Sequence, residues 1–243
     1  MKKLLLTCCA ICFAAVVVAQ DTTVTVQQID PSKPTNLYTQ LNVQAEYSSS
    51  KAANLYGSRL NLQYAFDKNN LLFAELPLLY NDATKKFGVA DVRVRYFDVV
   101  KRNLTQHFIA IAPFVDITAP TGSVKNGLGN GQWSLAAGVV GGFVASQQFA
   151  FFPGVSYVYL TQSKISGVGL QFNGSYSFSK KTFAFINPTP AFFCINGKWK
   201  ANWAGDFSIN TIVKPNKFKM SLNFNPDITN KIYTYRLGGT FFL

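Results

Sequence analysis

The stretch of sequence that decides the fold is YTYRLGGTFFL, residues 233–243, at the C-terminus. Its large apolar residues fall on every second position, and polar or small residues lie between them. A period of two is typical of a β-strand with one apolar and one polar face. Arg236, Gly238, Phe241 and Leu243 also follow the polar, glycine and spaced hydrophobic order of a barrel assembly signal. This end of the chain therefore predicts the closing strand of an outer-membrane β-barrel.

The same alternation recurs along the chain, in runs of roughly the ten residues that cross a bilayer at barrel tilt. With two weaker segments, residues 71–80 and 182–193, we count about twelve strands, an even number as in bacterial barrels of one chain. We predict an all-β fold, a transmembrane antiparallel up-and-down β-barrel over residues 36–243. The clearer runs are residues 37–47, 60–66, 92–96, 109–117, 133–139, 149–159, 168–178, 199–209, 218–224 and 233–243.

A soluble β-sandwich or a periplasmic β-barrel binder also alternates, so the composition of the apolar face is the discriminating feature. Here that face carries Tyr, Trp and Phe near the strand ends and smaller aliphatic residues between them. Glycine and alanine occupy many of its positions and would leave voids in a dense core. An apolar exterior and a wet interior are favoured.

The N-terminus has the features of a cleaved secretory signal peptide, residues 1–19. Lys2 and Lys3 precede an apolar run that is too short to span a membrane, and a small-residue exit ends at Ala19. We expect residues 20–35 to form a short segment before the barrel, and the protein to reside in the cell outer membrane. A lipid anchor at Cys8 is the less favoured alternative. Cys194 is the only cysteine outside residues 1–19, so no intrachain disulfide is expected.

The chain is basic, but its charge pattern does not indicate nucleic-acid binding. Loss of Lys2 and Lys3 leaves 21 of 23 basic residues against 11 acidic ones, a net charge of +10. Nucleic-acid binding needs these charges on one face. They are instead scattered between apolar segments, as expected of turns or of contact with anionic lipid head groups.

The connections between strands alternate in length. Short polar turns, such as residues 67–70, 179–181 and 214–217, interleave with longer ones, such as 119–131 and 225–231. Outer-membrane barrels have short periplasmic turns and longer external loops. We therefore expect a periplasmic N-terminus and the longer loops outside.

The polar face of the strands predicts the lining of the barrel lumen. Charges of both signs on neighbouring strands pair across the sheet, and in a narrow barrel they decide whether a solute passes. A pore and a lumen plugged by salt bridges both remain open at this point. The candidate lining residues are Glu46, Arg59, Glu75, Asp91, Arg93, Arg95, Asp116, Lys198, Lys200, Asp206, Lys219 and Arg236.

No residue pattern supports catalysis, a metal or another cofactor. The single histidine, His107, lies at a predicted turn, whereas a barrel hydrolase needs a Ser and a His within hydrogen-bond reach. One histidine and Cys194 cannot supply a zinc site. The glycine-rich residues 122–131 lack the Gly-Lys-Ser/Thr order of a phosphate-binding loop.

The middle of the chain resembles the outer-membrane family labelled for the meta-pathway of phenol degradation. The resemblance covers about residues 70–160, and Ala90 replaces the second glycine of the expected Gly-x-Gly-Asp strand start. The resemblance implies a barrel involved in the uptake of small molecules, with hydrophobic or aromatic compounds among the candidates. The residues that carry it are Leu76-Pro77, Gly88–Tyr96, Ala119-Pro120-Thr121-Gly122 and Gly127-Leu128-Gly129.

The leading functional hypothesis is a passive outer-membrane channel for small molecules. Its expected partners are outer-membrane lipid, the barrel assembly machinery and the solute. A non-conducting structural or adhesive barrel is the first alternative. A lipid-modifying barrel enzyme is the second.

Overall fold

The computed structural model describes residues 29–33 and 35–243. The predicted signal peptide, Cys8 and most of the segment 20–35 lie outside these residues. Among the described residues no helix is long and apolar enough to cross a membrane. The helical structure there is a single 3₁₀ turn, Val124–Asn126.

Twelve antiparallel strands follow one another around a closed barrel, which confirms the predicted fold and strand number. Three of them are interrupted and are numbered here as one strand each. The strands are β1 Gln40–Ser49, β2 Asn54–Ala65, β3 Asn70–Asn81, β4 Lys86–Val89 with Val92–Asp98 and Lys101–Arg102, β5 Phe108–Ala119, β6 Ser134–Val144, β7 Phe149–Leu160, β8 Ile165–Ser177, β9 Thr182–Pro188 with Ala191–Ile195, β10 Lys198–Asn202 with Gly205–Lys214, β11 Phe218–Asp227 and β12 Ile232–Phe242.

The predicted last strand closes the barrel. β12 pairs with β11 on one side and with β1 on the other, in a register that runs from Gln40 opposite Phe242 to Ser49 opposite Tyr233. Apart from this pair of first and last strands, each neighbour in the sheet is a neighbour in sequence, as an up-and-down barrel requires. Closure matters because an unpaired strand edge in lipid leaves backbone N–H and C=O groups without partners.

The interruption in β9 has a local cause. Pro188 and Pro190 have no backbone N–H, so the ladder breaks between Pro188 and Ala191. Thr189 maintains the contact with β10 by donating its N–H to the Ala204 carbonyl at 2.8 Å. The sheet therefore continues across the break without a change of register.

The connections differ in part from the expected alternation of short turns and long loops. At one end, the turn end, residues 66–69, 103–107, 145–148, 178–181 and 215–217 form short turns. At the other, the loop end, only residues 120–133 form a long loop, and the predicted long loop 225–231 is reduced to residues 228–231. The prediction was wrong there because Asn225 to Asp227 continue the strand and pair with β12.

Apolar side chains cover the outside of the barrel. Aliphatic side chains on this surface are between 39 and 56 % exposed, as Val43, Val115, Val155 and Leu237 show. Exposure of so large an apolar area to water is unfavourable and is typical of a surface that contacts a membrane or another protein. Two aromatic belts border this aliphatic zone, as interfacial residues do in transmembrane barrels. The loop-end belt contains Tyr47, Tyr56, Trp133, Tyr157, Trp203, Tyr233 and Tyr235, and the turn-end belt Tyr64, Phe66, Phe143, Phe149, Tyr176, Phe178 and Phe241.

The interior is less uniformly polar than the sequence pattern predicted. On β5, β6 and β7 the inward positions near the turn end hold a buried apolar cluster of Phe114, Val140, Ala150 and Phe152. Both faces of these strands are apolar at that level. Period-two alternation therefore weakens there, although the strands themselves are regular.

We predict that removing the last three residues, Phe241–Leu243, prevents the barrel from closing. Phe241 pairs with Leu41 on β1 and with Phe218 on β11, and the Leu243 N–H donates to the Thr39 carbonyl at 3.0 Å. Loss of these bonds frees two strand ends. Gel electrophoresis of the membrane-extracted protein measures this effect. Heated and unheated samples of the truncated chain should migrate alike, because no compact folded form is present before heating.

A control replaces Phe241, Phe242 and Leu243 by alanine, which keeps the backbone bonds and removes the side chains. Partial folding of this variant would separate the contribution of the backbone from that of the side chains. Normal membrane insertion of the truncated chain would refute the prediction.

Candidate functional site in the barrel interior

A network of ion pairs crosses the seam at which the barrel closes. Glu46 on β1 is 3 % exposed and accepts hydrogen bonds from Arg59 Nε at 2.5 Å, Arg59 Nη2 at 2.9 Å and Arg236 Nε at 2.9 Å. Arg59 also donates from Nη1 to Glu75 at 2.5 Å. The register places Glu46 directly opposite Arg236 on β12. Two arginines and two glutamates thus link four neighbouring strands and balance each other in charge.

A second group lies on the next pair of strands and is not balanced. Arg95 on β4 stands opposite Asp116 on β5 and donates to it from Nε at 2.6 Å. Arg93 donates to the same carboxylate at 2.5–3.0 Å. One carboxylate therefore serves two guanidinium groups. The Arg95 guanidinium also lies 4.8 Å from the Phe114 ring centroid and 5.4 Å from that of Phe97, a cation–π arrangement.

The wall across from these ion pairs carries no charge. Strands β6, β7 and β8 contain no acidic or basic residue at all. Their inward positions near the loop end are small, with Ser134, Ala136, Gly154, Ser156 and Gly169 among them. The lumen is therefore asymmetric, with fixed charges on one side and small neutral side chains on the other. This arrangement leaves space beside the charged wall.

Two cavities occupy the lumen. The outer cavity, which is nearer the loop end, measures about 390 Å³. The inner cavity, which is nearer the turn end, measures about 330 Å³. Arg95 and Gln171 line both cavities, from β4 and β8 respectively. These two side chains therefore mark the boundary between the cavities. Gln171 belongs to the polar face of residues 168–178. It carries no charge, so it was not among the predicted lining residues.

The segment formed by residues 29–33 and 35–38 lies across the turn-end opening, which the sequence did not predict. Ser175 on β8 donates its hydroxyl to the Ser32 carbonyl at 2.5 Å, and Arg102 on β4 donates to the Thr35 carbonyl at 3.1 Å. The Ile29 N–H donates to Asn216, in the turn between β10 and β11, at 3.0 Å. These anchors lie on different sides of the barrel. The segment therefore spans the opening and covers the inner cavity.

Asp91 orders a loop rather than lining the wall, which corrects its predicted role. Its carboxylate accepts the N–H of Gly122 at 2.9 Å and that of Asn130 at 2.7 Å. The loop 120–133 folds against the inner side of the loop end, where Leu128 is buried with Leu79 and Ala90. Asp91, which directly precedes the Val92–Asp98 segment of β4, thus holds the loop 120–133 in place.

Lys198 and Lys200 also differ from the prediction. They lie in the outer segment of β10, where Trp199 and Ala201 on the other face are exposed as well. This segment pairs with β9 alone and projects past the end of β11. Lysine and apolar residues do alternate along this segment, but both lysines are exposed beyond the barrel wall and do not line the lumen.

The remaining candidate residues lie inside the barrel. Asp206 lines the outer cavity and accepts a hydrogen bond from Asn225. Lys219 lines the inner cavity; its Nζ is 3.4 Å from Asn210 Oδ1 and 5.7 Å from the Phe183 ring centroid. Among the described residues, no carboxylate lies within salt-bridge distance of Lys219.

Charged groups outside the lumen hold the connections in place. Asp82 follows β3 and accepts hydrogen bonds from the side chain and the backbone of Asn54, and these bonds lower the pKa of the Asp82 carboxyl. His107 is exposed in its turn, with Nδ1 3.0 Å from the Val144 carbonyl oxygen. Within residues 29–33 and 35–243, no three His, Cys, Asp or Glu side chains cluster as a metal site would require.

Comparison with known proteins supports the fold. No protein-family model matches the sequence, and no curated protein is similar to it at the sequence level. Among solved structures, an outer membrane channel from Pseudomonas putida F1 has a TM-score of 0.58 and 14 % identity, over 92 % of this chain and 100 % of that one. The NanC porin has a TM-score of 0.63 and 13 % identity, over 84 % of this chain and 100 % of its own. A KdgM porin, solved in complex with disordered oligogalacturonate, has a TM-score of 0.58 and 12 % identity over 84 % and 99 %.

We predict that Glu46→Gln destabilises the barrel, because it leaves Arg59 with Glu75 alone and removes the carboxylate to which Arg236 is paired. Removing one member of a buried ion network costs roughly 3–5 kcal/mol. Urea unfolding of the detergent-folded protein, followed by tryptophan fluorescence, measures this loss.

The double variant Glu46→Gln/Arg236→Gln is the matched control. It removes one charge of each sign, so part of the lost stability should return. A Glu46→Gln protein that unfolds at the same urea concentration as the wild type would show that the seam does not depend on this network.

Proposed function

We propose that this protein is a channel of the outer membrane through which small molecules diffuse passively. The observation that carries the proposal is the lumen itself, in which two cavities lie in line beside a charged wall. The apolar exterior and the aromatic belts support a membrane location. The similar folds of three outer-membrane channels and porins agree with it.

The charge of the lumen wall favours anionic solutes. Arg59 and Arg236 are balanced by Glu46 and Glu75. Arg93 and Arg95 share the carboxylate of Asp116, and Asp206 is a second carboxylate in the same cavity. Lys219 then leaves the described interior with one net positive charge. Fixed charges in a narrow passage act on a permeating ion at close range. The KdgM porin, with its oligogalacturonate, offers a precedent on this fold. The resemblance of residues 70–160 to the phenol-pathway family adds aromatic compounds to the candidate solutes.

The proposal includes an orientation and a route to the membrane. The turn end faces the periplasm, and the signal peptide, residues 1–19, is removed after export. Arg236, Gly238, Phe241 and Leu243 form the signal that the barrel assembly machinery recognises. No residue is assigned a catalytic role, and His107 is an interfacial polar residue of a turn.

One observation favours the alternative of a non-conducting barrel. Residues 29–33 and 35–38 lie across the turn-end opening and are held by Ser175, Arg102 and Asn216. Each anchor is a single hydrogen bond, typically about 1 kcal/mol net. We therefore expect the segment to restrict the passage without sealing it.

We predict that a protein whose mature chain starts at Leu37 conducts better than the full mature chain. Without the segment the inner cavity opens directly at the turn end. Single-channel recordings in planar bilayers should show a conductance at least about twice that of the full chain, since conductance follows the narrowest cross-section. Flux of small anions into liposomes should rise in parallel.

Ser175→Ala is the control, because it removes one anchor and keeps the segment. It should add brief openings to the higher level without changing the lower one. If neither the full chain nor the shortened one conducts, the non-conducting alternative is correct.

A further inference from the structure

The inner cavity differs from the rest of the lumen in its charge. Lys33, Arg95 and Lys219 line it, and none of its described lining residues is acidic. Lys33 is paired with Asp30 at 3.5 Å outside the cavity, and Arg95 shares Asp116 with Arg93. Lys219 contacts the amide oxygen of Asn210 and the face of Phe183, and no carboxylate of the described residues lies within salt-bridge distance of it. A cation in such an enclosed place is stabilised by a counter-charge.

Apolar surface covers another part of the same cavity. Phe97, Phe152 and Phe185 line it, together with the aliphatic Leu71 and Val140. Phe152 is 1 % exposed and is fixed by the cluster of Phe114, Val140 and Ala150. A preformed apolar wall beside a few polar groups is the usual composition of a small-molecule site, and about 330 Å³ lies within the range of such sites.

Amide side chains supply unused hydrogen-bond acceptors. Gln40, Asn173 and Asn187 line the cavity, and the side-chain oxygen of each is buried without a donor among the described residues. A buried acceptor without a partner destabilises the folded state. A side-chain rotation that offers this oxygen to a ligand hydroxyl group removes this destabilisation.

We propose that the inner cavity is a binding site for a small amphipathic hydroxycarboxylate. Lys219 binds the carboxylate, the phenylalanines contact the apolar part of the ligand, and an amide oxygen accepts from its hydroxyl group. Described residues of the N-terminal segment, among them Pro31, Lys33 and Thr35, form the side of the site that faces the turn end. The inference deepens the proposed function and rests on it for its physiological meaning.

Mandelate, which combines a phenyl ring, a hydroxyl group and a carboxylate, is the probe. Isothermal titration calorimetry on the full mature chain in detergent micelles should give saturable binding. Mandelamide lacks the charge, phenylacetate the hydroxyl group and lactate the ring, and each should bind at least about fivefold more weakly. Equal binding of mandelate and mandelamide, or no saturable binding of mandelate, would overturn the proposal.

Variants of the protein locate the site. Lys219→Met should weaken mandelate binding by about tenfold or more, whereas Lys219→Arg keeps the charge and should stay within about threefold. Lys125→Met removes a lysine from the exposed loop and should change nothing. If Lys219→Met does not fold, Gln171→Glu serves instead, because it adds a carboxylate to the cavity and should weaken binding.

The two proposals fail separately. Solute flux without mandelate binding would overturn the site and leave the channel. Mandelate binding without flux would overturn the channel and leave the site. Equal losses in Lys219→Met and Lys125→Met would show that binding depends on overall charge and would refute a site at Lys219.

Discussion

The structure depends on the pairing of the first and last strands. β1 and β12 share ten directly opposed residue pairs, and Glu46 opposite Arg236 lies among them. A transmembrane sheet must close because lipid offers no partner for the backbone of a free edge. Once it is closed, the alternation along each strand decides which side chains face lipid and which face the lumen. The seam therefore determines both the outer surface and the interior of the barrel.

The same seam shapes the interior. Its ion pairs neutralise the charges of β1, β2, β3 and β12. Among the described residues, Lys219 on β11 is the basic group of the interior with no carboxylate within salt-bridge distance. The uncharged β6, β7 and β8 provide the space beside the charged wall. The lumen is thus bordered by a charged wall, a wall of small residues and, at one end, residues 29–33 and 35–38. The proposed selection of anions and the proposed restriction of their size rest on these three elements.

Much of the fold was predictable because closed barrels follow a simple rule of alternation. The run at residues 168–178 and the last strand show it clearly, and both are strands in the structure. The pairing of Glu46 with Arg236 follows from the position of both on polar faces of strands that must meet. Asp91 and Lys200 lie on such faces too. Period two alone does not tell where a strand leaves the barrel wall, so their positions were not predictable.

Other features depend on contacts between distant parts of the chain. Residues 29–33 and 35–38 have no strand pattern, and their place follows from hydrogen-bond partners such as Ser175 and Asn216, which are 143 and 187 positions away in sequence. The apolar lining by Phe114 and Phe152 was hidden because both faces of those strands are apolar. Gln171 carries no charge, and its position at the boundary between the two cavities is visible only in the folded barrel.

The reversal potential of the wild-type protein in a planar bilayer, across a potassium chloride gradient, tests the central claim most directly. A conducting lumen with the charges described here shifts this potential toward the chloride equilibrium value. A shift toward the potassium value, or the absence of any conductance, would contradict it.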